Sequence, residues 1–465
     1  MLRFFKQYYP IRNIFFVLGE GLFIYVSVLI ASRIILGDEL FVLSWFLAAK
    51  IFLITFVCQA CLYYNDLYDF KITDNFRELG IRLLQALGAS AIFLAFVYIV
   101  IPQVIIGTGT FLISICIVIL LIVSWRFCYT LILDRGIFNE KIILLGSSDL
   151  AKEIQEEIKD TKDCGYTLSV VVPESDDPVD FTDRTSASII CQKNYENLCR
   201  MARSLGTTKI IVALKERRNS LPVKELLQCR IEGIQVIDGH TFFEMLTGKL
   251  IVQTINPGWL IFSEGFQKTR IRRFVKRTVD LILSFVLLLI FMPVIVVIGI
   301  LIKIDSRGSV IFSQERVGQK NKIYRMHKFR SMVEDAEKSS GPVWARDDDP
   351  RITRVGKIIR KFRLDEIPQL WNVLKGEMSF VGPRPERPVF VEELERIIPY
   401  FGVRSSVKPG ITGWAQVCYG YANTVEDAIE KLNYDLFYIK NMSILMDLMI
   451  VLRTIKIVIY ARGAH

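Results

Sequence analysis

Histidine is scarce in this sequence, and its cysteines are dispersed; both residue types commonly bind transition metals. The three histidines, His240, His327 and His465, lie far apart, so the chain gives little support for a metal site built on histidine. Nine cysteines, an odd number at scattered positions, indicate a reducing compartment and argue against a disulfide framework. The one close pair, Cys58 and Cys61, lies in an apolar run and is interpreted as two buried thiols rather than a redox motif.

Charged residues are also few, at 23% of the sequence, whereas hydrophobic residues make up 52%. This composition excludes a disordered chain, and 465 residues leave room for about two or three folding units. Lysine and arginine still outnumber aspartate and glutamate by 58 to 48, with a mean hydropathy of +0.36. A basic, hydrophobic chain is typical of a membrane protein that faces an anionic surface or an anionic substrate. Nucleic acid is not expected among its partners.

Four apolar stretches before residue 135 are each long enough to cross a hydrocarbon layer of about 30 Å as a helix. They lie at about residues 14–36, 40–62, 83–104 and 107–133. The first contains Glu20, which needs a partner or a wet niche inside a membrane. Basic residues occur before span one, between spans two and three and around the end of span four, but not in the turns after spans one and three. The positive-inside rule therefore places both ends of this four-helix transmembrane bundle in the cytoplasm.

From Lys141 onward, short strand-like runs alternate with helical stretches, which predicts an α/β domain. A strand, a glycine turn and a helix over residues 141–159 indicate a Rossmann-type unit. Ser148 stands where the dinucleotide-binding pattern needs a second glycine, so the domain is interpreted as degenerate, and a structural or oligomerising role is preferred to nucleotide binding. The predicted boundaries are 1–138 for the four spans, 139–252 for the Rossmann-like domain, 253–267 for a linker and 268–465 for a carboxyl-terminal domain.

A fifth apolar run, from Leu281 to Ile302, contains no charged residue and by length alone would span the bilayer. Lysine and arginine cluster on both of its sides, and a spanning helix would export one cluster against the positive-inside bias. Pro293 near its middle removes a backbone hydrogen bond and bends a helix. The run therefore predicts a re-entrant helix-break-helix with arms of about 15 Å. The alternative is a fifth span with everything after it exported.

The carboxyl-terminal third is rich in arginine, lysine and aromatic residues and is predicted to lie on the membrane surface. Residues 355–363 have the pattern of a basic amphipathic helix in the headgroup plane. Asp365 and Glu366 follow, at the predicted start of a helix that ends at Gly376. The positive end of such a helix would keep at least one carboxylate ionised and nucleophilic. The predicted buried face of that helix comprises Ile367, Leu370, Trp371 and Leu374.

Two arginines flank this acidic pair along the chain. Arg360 lies one turn upstream, and Arg384 lies between Pro383 and Pro385, which fix the backbone and preorganise the guanidinium for phosphate oxygens. An acidic pair at a helix start is, taken alone, ordinary capping. Carboxylates beside fixed arginines on a membrane surface, however, indicate phosphoryl chemistry with Mg²⁺, because a carboxylate needs a divalent cation to approach a polyphosphate.

A succession of short motifs runs through this region in a fixed order. They are Lys-Ile-Asp-Ser-Arg-Gly from residue 303, Gln-Glu-Arg-Val-Gly from 314, Lys-Phe-Arg-Ser-Met from 328, Asp-Pro-Arg-Ile-Thr from 349, Leu-Asp-Glu-Ile-Pro-Gln from 364, Gly-Pro-Arg-Pro from 382 and Lys-Pro-Gly-Ile-Thr-Gly-Trp-Ala-Gln from 408. Over residues 268–460 the chain resembles the bacterial sugar transferase family, the monotopic phosphoglycosyl transferases or polyprenyl-phosphate hexose-1-phosphate transferases. The whole layout is similar to the long enzymes that initiate exopolysaccharide and O-antigen synthesis.

The resemblance implies a two-step transfer of a phosphosugar. Asp365 would attack the sugar-bearing phosphate of a UDP-sugar and release UMP, and undecaprenyl phosphate would then take the phosphosugar. Glu366 would assist in acid/base work or at the metal, and Mg²⁺ would bridge Asp365 and the diphosphate. Arg360 and Arg384 would hold phosphate oxygens. Further candidate phosphate contacts, for which a solvated basic face is the alternative, are Lys328 and Arg330.

The resemblance also implies a bacterial inner-membrane protein that contacts membrane lipids, forms a homodimer and has its catalytic domain on the cytoplasmic face. Two other functions stay open. Asp347-Asp348-Asp349 fits the metal site of a glycosyltransferase that moves only the sugar and releases UDP, although a solvated turn before Pro350 also explains this run. The second is a membrane scaffold or sensor whose middle domain binds a nucleotide and whose basic third binds anionic lipid.

Overall fold

The structure of the chain is a computed structural model. It describes residues 2–4, 7–9, 11–40, 44–68, 76–107, 109–134, 139–161, 164–174, 188–189, 195, 197–215, 221–255, 257–263, 265–266, 268–334, 349, 351–420 and 424–460. Apart from a few residues at the amino terminus, the chain divides into two compact units, the first ending at Gly239 and the second beginning at His240.

Two short strands, β1 (Leu2–Phe4) and β2 (Gln7–Tyr9), open the chain and precede four long apolar helices. The helices are α1 (Ile11–Leu40), α2 (Trp45–Tyr64), α3 (Phe76–Val100) and α4 (Thr110–Asp134). They pack around one apolar core, to which Ile24, Ile51 and Ile122 contribute fully buried side chains. Each helix matches a predicted span to within several residues, so the four helices are confirmed as elements.

Glu20 finds its partner in the neighbouring helix α4. Glu20 Oε1 lies 2.6 Å from Arg126 Nε, and both side chains are buried. Arg126 also donates from Nη1 to the carbonyl of Leu67 at 2.7 Å, and its guanidinium lies 5.2 Å from the ring centroid of Phe16. A buried charge pair is tolerated only when further polar contacts accompany it, and here α1 and α4 are joined by such a set.

A five-stranded parallel sheet forms the rest of the first unit. Its strand order is β5-β4-β3-β6-β7, which matches the first five strands of the Rossmann order 3-2-1-4-5-6, so the predicted α/β region is confirmed. The strands are β3 (Glu140–Leu145), β4 (Tyr166–Val172), β5 (Ser188–Ile189), β6 (Lys209–Val212) and β7 (Gln235–Asp238). The helices between them are α5 (Asp149–Asp160), α6 (Leu198–Leu205) and α7 (Val223–Ile231).

The turn after β3 is closed by protein backbone. Ser148 Oγ donates to the carbonyl of Ala213 at 2.7 Å and accepts from the N–H of Ala151, so it caps α5. Gly146 adopts a φ of 118°, and a Cβ at this position would lie 2.2 Å from the same Ala213 oxygen. A Rossmann fold binds its pyrophosphate at this turn, which here packs against Ala213, the residue that directly follows the neighbouring strand β6.

The second unit is built from helices around a β-hairpin. It begins with α8 (Gly239–Thr247), α9 (Pro257–Phe262) and α10 (Arg270–Asp305). The antiparallel hairpin of β8 (Ile311–Val317) and β9 (Ile323–Phe329) follows. The remaining elements are α11 (Arg354–Lys361), α12 (Gln369–Lys375), β10 (Ser379–Val381), α13 (Pro388–Ile397), β11 (Gly410–Thr412), α14 (Trp414–Cys418), α15 (Val425–Asn441) and α16 (Ile444–Ile459).

Residues 240–255 pack with this second unit, whereas the sequence places 139–252 in the Rossmann-like domain. Leu250 and Val252 are buried in a core with residues of α15. Their N–H groups donate to the backbone and side-chain carbonyls of Asn433, at 3.1 and 2.9 Å. Gly239 lies at this boundary, but a single glycine does not distinguish a domain boundary from a turn, so the boundary is set by tertiary contacts that the sequence pattern does not contain.

Helix α10 runs without interruption for 36 residues, with Pro293 inside it. The structure therefore does not confirm the break predicted at Pro293. A proline removes one hydrogen bond of the helix ladder, but the residues on both sides still adopt helical backbone angles. Most of the helix surface is apolar and exposed, as at Ile282, Phe285 and Ile290.

Five described helices, α1 to α4 and α10, are long and apolar enough to cross a membrane by length and composition. These helices indicate a membrane protein with a helical amino-terminal region and a mixed α/β region. Because α10 also meets the criterion, the predicted count of four spans stays a prediction.

Candidate active site

Asp365 and Glu366 lie together in a buried turn after α11. Both side chains are less than a tenth exposed. The segment Leu364–Glu366 forms a 3₁₀ turn that starts from Arg363, whose φ of 53° lies in the left-handed region. Helix α12 begins only at Gln369, with Pro368 as its N-cap, so the prediction that Asp365 and Glu366 lie at the start of this helix is wrong.

The late start of α12 also changes which face is buried. Ile367 and Leu370 are buried as predicted, and Gly376 ends the helix in the left-handed conformation. Trp371, predicted to be buried, is 53% exposed. With only seven residues in α12, the charge of Asp365 and Glu366 is set by neighbouring side chains rather than by the positive end of a helix.

Asn372 fills the buried face instead and joins α12 to β9. It is fully buried, donates from Nδ2 to the carbonyl of Arg325 at 2.7 Å, and accepts at Oδ1 from the N–H of His327 at 3.0 Å. These bonds fix the strand residue that precedes Lys328. The sequence pattern does not reveal the role of Asn372, because an isolated asparagine in a helical pattern predicts a surface position.

Two of the predicted cations meet on one oxygen of Glu366. Lys328 Nζ, from β9, lies 3.0 Å from Glu366 Oε1, and Arg384 Nη2, from the loop after β10, lies 3.1 Å from it. Burial by itself would raise the pKa of Glu366, but the charges of Lys328, Arg384 and Arg363 outweigh it and lower the pKa. Glu366 is therefore ionised at neutral pH and holds both cations in place.

Asp365 has a different environment from its neighbour. It makes no hydrogen bond or ion pair with the described residues, and burial raises its pKa, with a further contribution from the charge of Glu366. Lys328 and Arg360 act in the opposite direction. Nη1 of Arg360 is itself buried and has no hydrogen-bond partner in the described part of the chain. Asp365 and Arg360 thus keep bonding capacity for a ligand.

The loop that carries Arg384 is held by its backbone. Four consecutive carbonyls, those of residues 383–386, each accept a hydrogen bond from another segment. The pairs are Gly410 N to Pro383 O at 2.9 Å, Arg404 Nη2 to Arg384 O at 3.0 Å, Arg316 Nη1 to Pro385 O at 3.0 Å and Val317 N to Glu386 O at 3.0 Å. Together with the rings of Pro383 and Pro385, these bonds fix the position of the Arg384 backbone.

Arg330 has a different position from the one expected of a phosphate contact. Its side chain is buried, and Nη2 donates to the carbonyl and the hydroxyl of Ser306 at 2.8 and 2.9 Å. Ser306 is the C-cap of α10. Arg330 therefore holds the end of that helix through Nη2, while its Nε and Nη1 are buried and have no hydrogen-bond partner in the described part of the chain, so its role as a phosphate contact stays a prediction.

The rival metal site lies mostly outside the described residues, which exclude Asp347 and Asp348. Asp349 is described, and its carboxylate accepts from the backbone N–H of Arg351 at 3.0 Å and from Nε of the same residue at 2.8 Å. Hydrogen bonds from Arg351 lower the pKa of Asp349 to about 2. This arrangement is an Asx-type turn, in which the Asp349 carboxylate binds the residue two positions later in the chain.

Both ends of α10 are joined to the elements around the acidic pair. Near its start, Arg277 donates to the carbonyls of Val373 and Leu374 at 2.6 and 2.9 Å, at the end of α12. Asp280 accepts from Ser379 Oγ at 2.7 Å. The far end of α10 is bound to α11, where the N–H of Val355 donates to Asp305 Oδ2 at 3.1 Å.

Comparison with known proteins gives the family. The model of the family described as bacterial sugar transferase matches residues 271–461. A Bacillus subtilis protein provisionally named undecaprenyl-phosphate N-acetylgalactosaminyl 1-phosphate transferase is 52% identical over 130 residues, which cover 28% of this chain and 72% of that protein. This chain belongs to the bacterial sugar transferase family.

Longer members of the family are also similar. The UDP-N-acetylgalactosamine-undecaprenyl-phosphate N-acetylgalactosaminephosphotransferase of Aeromonas hydrophila is 41% identical over 240 residues, 52% of this chain and 56% of that protein. The undecaprenyl-phosphate galactose phosphotransferase of Salmonella typhimurium is 29% identical over 373 residues, 73% of this chain and 76% of that protein. The chain thus spans little more than half the length of the Aeromonas relative.

Proposed function

We propose that this chain transfers a phosphosugar from a UDP-sugar to undecaprenyl phosphate and so starts the synthesis of an exopolysaccharide or O-antigen. The observation that carries the proposal is the asymmetry of the acidic pair. Glu366 is bound by Lys328 and Arg384, whereas Asp365 makes no hydrogen bond with the described residues. The names of the relatives support the proposal, since each moves a sugar phosphate to undecaprenyl phosphate.

In the first step, a carboxylate oxygen of Asp365 forms a bond to the sugar-bearing phosphorus. The bond from that phosphorus to the bridging oxygen breaks, and UMP leaves with the electron pair. In the second step, a phosphate oxygen of undecaprenyl phosphate attacks the same phosphorus and releases the carboxylate. The acceptor is a phosphate monoester with a second pKa of about 6, so at neutral pH it attacks without a strong general base.

Glu366 then serves to hold cations rather than to donate a proton, because its lowered pKa keeps it ionised. Arg384 and Lys328, aligned by Glu366, would bind oxygens of the diphosphate together with Arg360. In the described part of the chain, no three His, Cys, Asp or Glu side chains gather at one place. Mg²⁺ commonly takes one or two carboxylates and completes its shell with substrate phosphates, so Asp365 fits as its protein ligand. When bound, Mg²⁺ would neutralise charge on the diphosphate.

The catalytic unit is proposed to lie on the cytoplasmic face of the inner membrane, with α10 entering the bilayer and returning. The contacts of Asp280 and Asp305 with one folded unit support this placement. A straight helix between these residues would measure about 37 Å, more than the hydrocarbon layer of about 30 Å. A spanning α10 would carry the bonded partners of its two ends to opposite sides of the bilayer. The proposed homodimer rests on the family resemblance alone.

The identity of the released nucleotide tests the reaction. Purified protein in detergent is given undecaprenyl phosphate, Mg²⁺ and a panel of UDP-sugars, and UMP and UDP are measured separately. We expect UMP from the wild-type protein. Asp365→Asn should lower the rate by at least about 10³-fold, because the nucleophile is lost. Without acceptor, donor labelled on the sugar-bearing phosphate should label the wild-type protein and not this variant.

Asp349→Asn is the matched control, since it changes an equally buried aspartate that is closed on Arg351. It should retain UMP release and protein labelling. Release of UDP, together with loss of activity in Asp349→Asn alone, would establish the sugar-only transferase instead. Absence of any nucleotide release across the panel would leave the scaffold or sensor.

A further inference from the structure

We propose that Arg404 and Asp435 form a positioning pair that holds the phosphate-binding arginine, Arg384, in its working orientation. This inference rests on the proposed function. Neither residue belongs to the acidic pair or its cations, and the segment from Lys431 to Asp435 has no role in the chemistry described above. The pair acts on Arg384 through the backbone rather than by contact with a substrate.

The contacts form a short chain from α15 to the acidic pair. Asp435 Oδ2 accepts from Arg404 Nε at 2.8 Å. Arg404 in turn donates from Nη2 to the carbonyl of Arg384 at 3.0 Å. The side chain of Arg384 then reaches Glu366 Oε1 at 3.1 Å. Three hydrogen bonds thus connect a residue near the carboxyl terminus to the centre of the site.

The geometry of Arg404 explains why an arginine is needed. Its planar guanidinium offers one N–H to a carboxylate and another to a carbonyl in a different direction. A lysine has one ammonium nitrogen on a flexible stem and does not fix two acceptors in this way. The substitution Arg404→Lys therefore keeps the charge but removes the orientation of the Arg384 carbonyl.

Burial argues that the pair has a role besides stability. The side chain of Asp435 is 2% exposed, and its second oxygen, Oδ1, has no hydrogen-bond partner in the described part of the chain. A buried ion pair costs much of its attraction in desolvation, and an apolar pair is often equally stable. What an apolar pair does not supply is a donor aimed at the carbonyl of Arg384.

A second arginine holds the same loop from another segment. Arg316, in β8, donates from Nη1 to the carbonyl of Pro385 at 3.0 Å, and its Nη1 lies 3.8 Å from Glu386 Oε2. The consecutive carbonyls of Arg384 and Pro385 therefore accept hydrogen bonds from two different guanidinium groups, those of Arg404 and Arg316. Because a displacement of about 1 Å can cost 10²-fold in rate, this double fixation is expected to matter for turnover.

Asp435 also makes the positioning sensitive to pH. Burial raises its pKa to about 6, although Arg404 acts to lower it. The other charges that face it are Glu386, which raises the pKa, and Lys431 on its own helix, which lowers it. Since the folded pKa lies above the ordinary value, the carboxylate is present above pH 6 and is lost as the pH falls through that value. Its hold on Arg404 should weaken over the same range.

The test compares UMP release by the wild-type protein and by Asp435→Asn from pH 5 to pH 8. At pH 8 the variant should have a kcat lower by about 10- to 100-fold, because Arg384 is less well placed in the transition state. The ratio of the two rates should fall toward one near pH 5, where the wild-type Asp435 is protonated. The ratio cancels every ionisation that both proteins share. Arg404→Lys should show the same loss at pH 8.

Glu430→Gln is the matched control, on the same helix and in an ion pair with Lys249 that does not contact the loop. It should stay within about twofold of wild type at every pH. The inference is overturned if Asp435→Asn keeps wild-type kcat, if its deficit is the same at all pH values, or if Glu430→Gln loses as much. A wild-type protein that releases no UMP would instead remove the proposed function, and this inference with it.

Discussion

One carboxylate oxygen of Glu366, Oε1, binds two of the cations of the site. Lys328 and Arg384 come from different segments, yet both nitrogens lie within hydrogen-bond distance of Oε1. A diphosphate that enters this site meets two cations whose separation is already set. Asp365, the proposed nucleophile, is the adjacent residue and makes no hydrogen bond with the described part of the chain, so one turn carries both this carboxylate and the carboxylate that aligns the two cations.

Arg384→Lys tests the need for a guanidinium at this position. Lysine keeps the charge but binds phosphate oxygens as a point charge, without the fork of arginine. We expect kcat/KM for the UDP-sugar to fall by about 10- to 100-fold, measured as UMP release. Arg387→Lys, in the same proline-rich loop, should have a much smaller effect. Equal losses in the two variants would mean that the loop responds to any change of arginine.

The residues of the site divide by how far the sequence reveals them. Lys328 and Arg384 were predicted because charge and proline mark them locally. Arg404 and Asp435 were missed, since their roles depend on contacts between segments that no periodic pattern encodes. The sequence also does not reveal that Nη2 of Arg330 binds Ser306 at the end of α10, because a basic residue beside a motif lysine does not show where its side chain turns.

At the scale of elements, both ends of α10 form hydrogen bonds with short elements of the same folded unit. The first end binds α12 and β10, and the far end binds α11. The bonds of Arg277 and Asp280 lie near one end, and that of Asp305 lies at the other. Its exposed apolar surface lies between these polar attachments. These attachments support the proposal that α10 enters the membrane and returns.

Thiol labelling tests this topology. In a cysteine-free protein that retains UMP release, single cysteines replace Arg270 and Lys320, on either side of α10. Both should be protected from an impermeant reagent in intact cells, because a returning helix keeps both sides in the cytoplasm. Gln103→Cys, in the turn between α3 and α4, should be labelled from outside. Labelling at either of the first two positions would show that α10 spans the bilayer.

The helices and strands that the sequence predicts correctly are those whose pattern of hydrophobic residues is enough to define them. The apolar helices and the buried parallel strands were found because their runs are long or bounded by turns. Helix α12 was predicted too early, since a 3₁₀ turn with Arg363 in the left-handed region leaves no local mark. The break at Pro293 was predicted from a proline, which bends a helix without having to interrupt it.

At the scale of the whole molecule, the two units have separate cores, and the second begins earlier than the sequence indicates. Leu250, Val252 and Ile255 are buried in the second unit. Glu244 also accepts there from Asn441 Nδ2 at 2.7 Å. These residues lie within or before the segment predicted to be a linker, which shows how tertiary contacts override composition in setting a boundary.

Truncation tests the boundary. A chain of residues 240–465 should keep UMP release in detergent within about tenfold of the full chain, because the core of its unit is complete. A chain of residues 268–465 should unfold at a much lower temperature or fail to accumulate. It loses three buried aliphatic side chains, worth about 1.5–3 kcal/mol each, against a typical domain stability of about 5–15 kcal/mol. Equal behaviour of the two chains would favour the boundary predicted from the sequence.

The loop around Arg384 is held by three segments, of which that of Arg404 is itself secured by Asp435. During synthesis the ribosome makes the acidic pair well before it makes α15. The nascent chain therefore contains Asp365, the proposed nucleophile, before it contains Asp435, which is proposed to position Arg384 through Arg404. The chain should therefore become active only after α15 and α16 have left the ribosome and packed. A polypeptide that ends before residue 435 should be a poor catalyst.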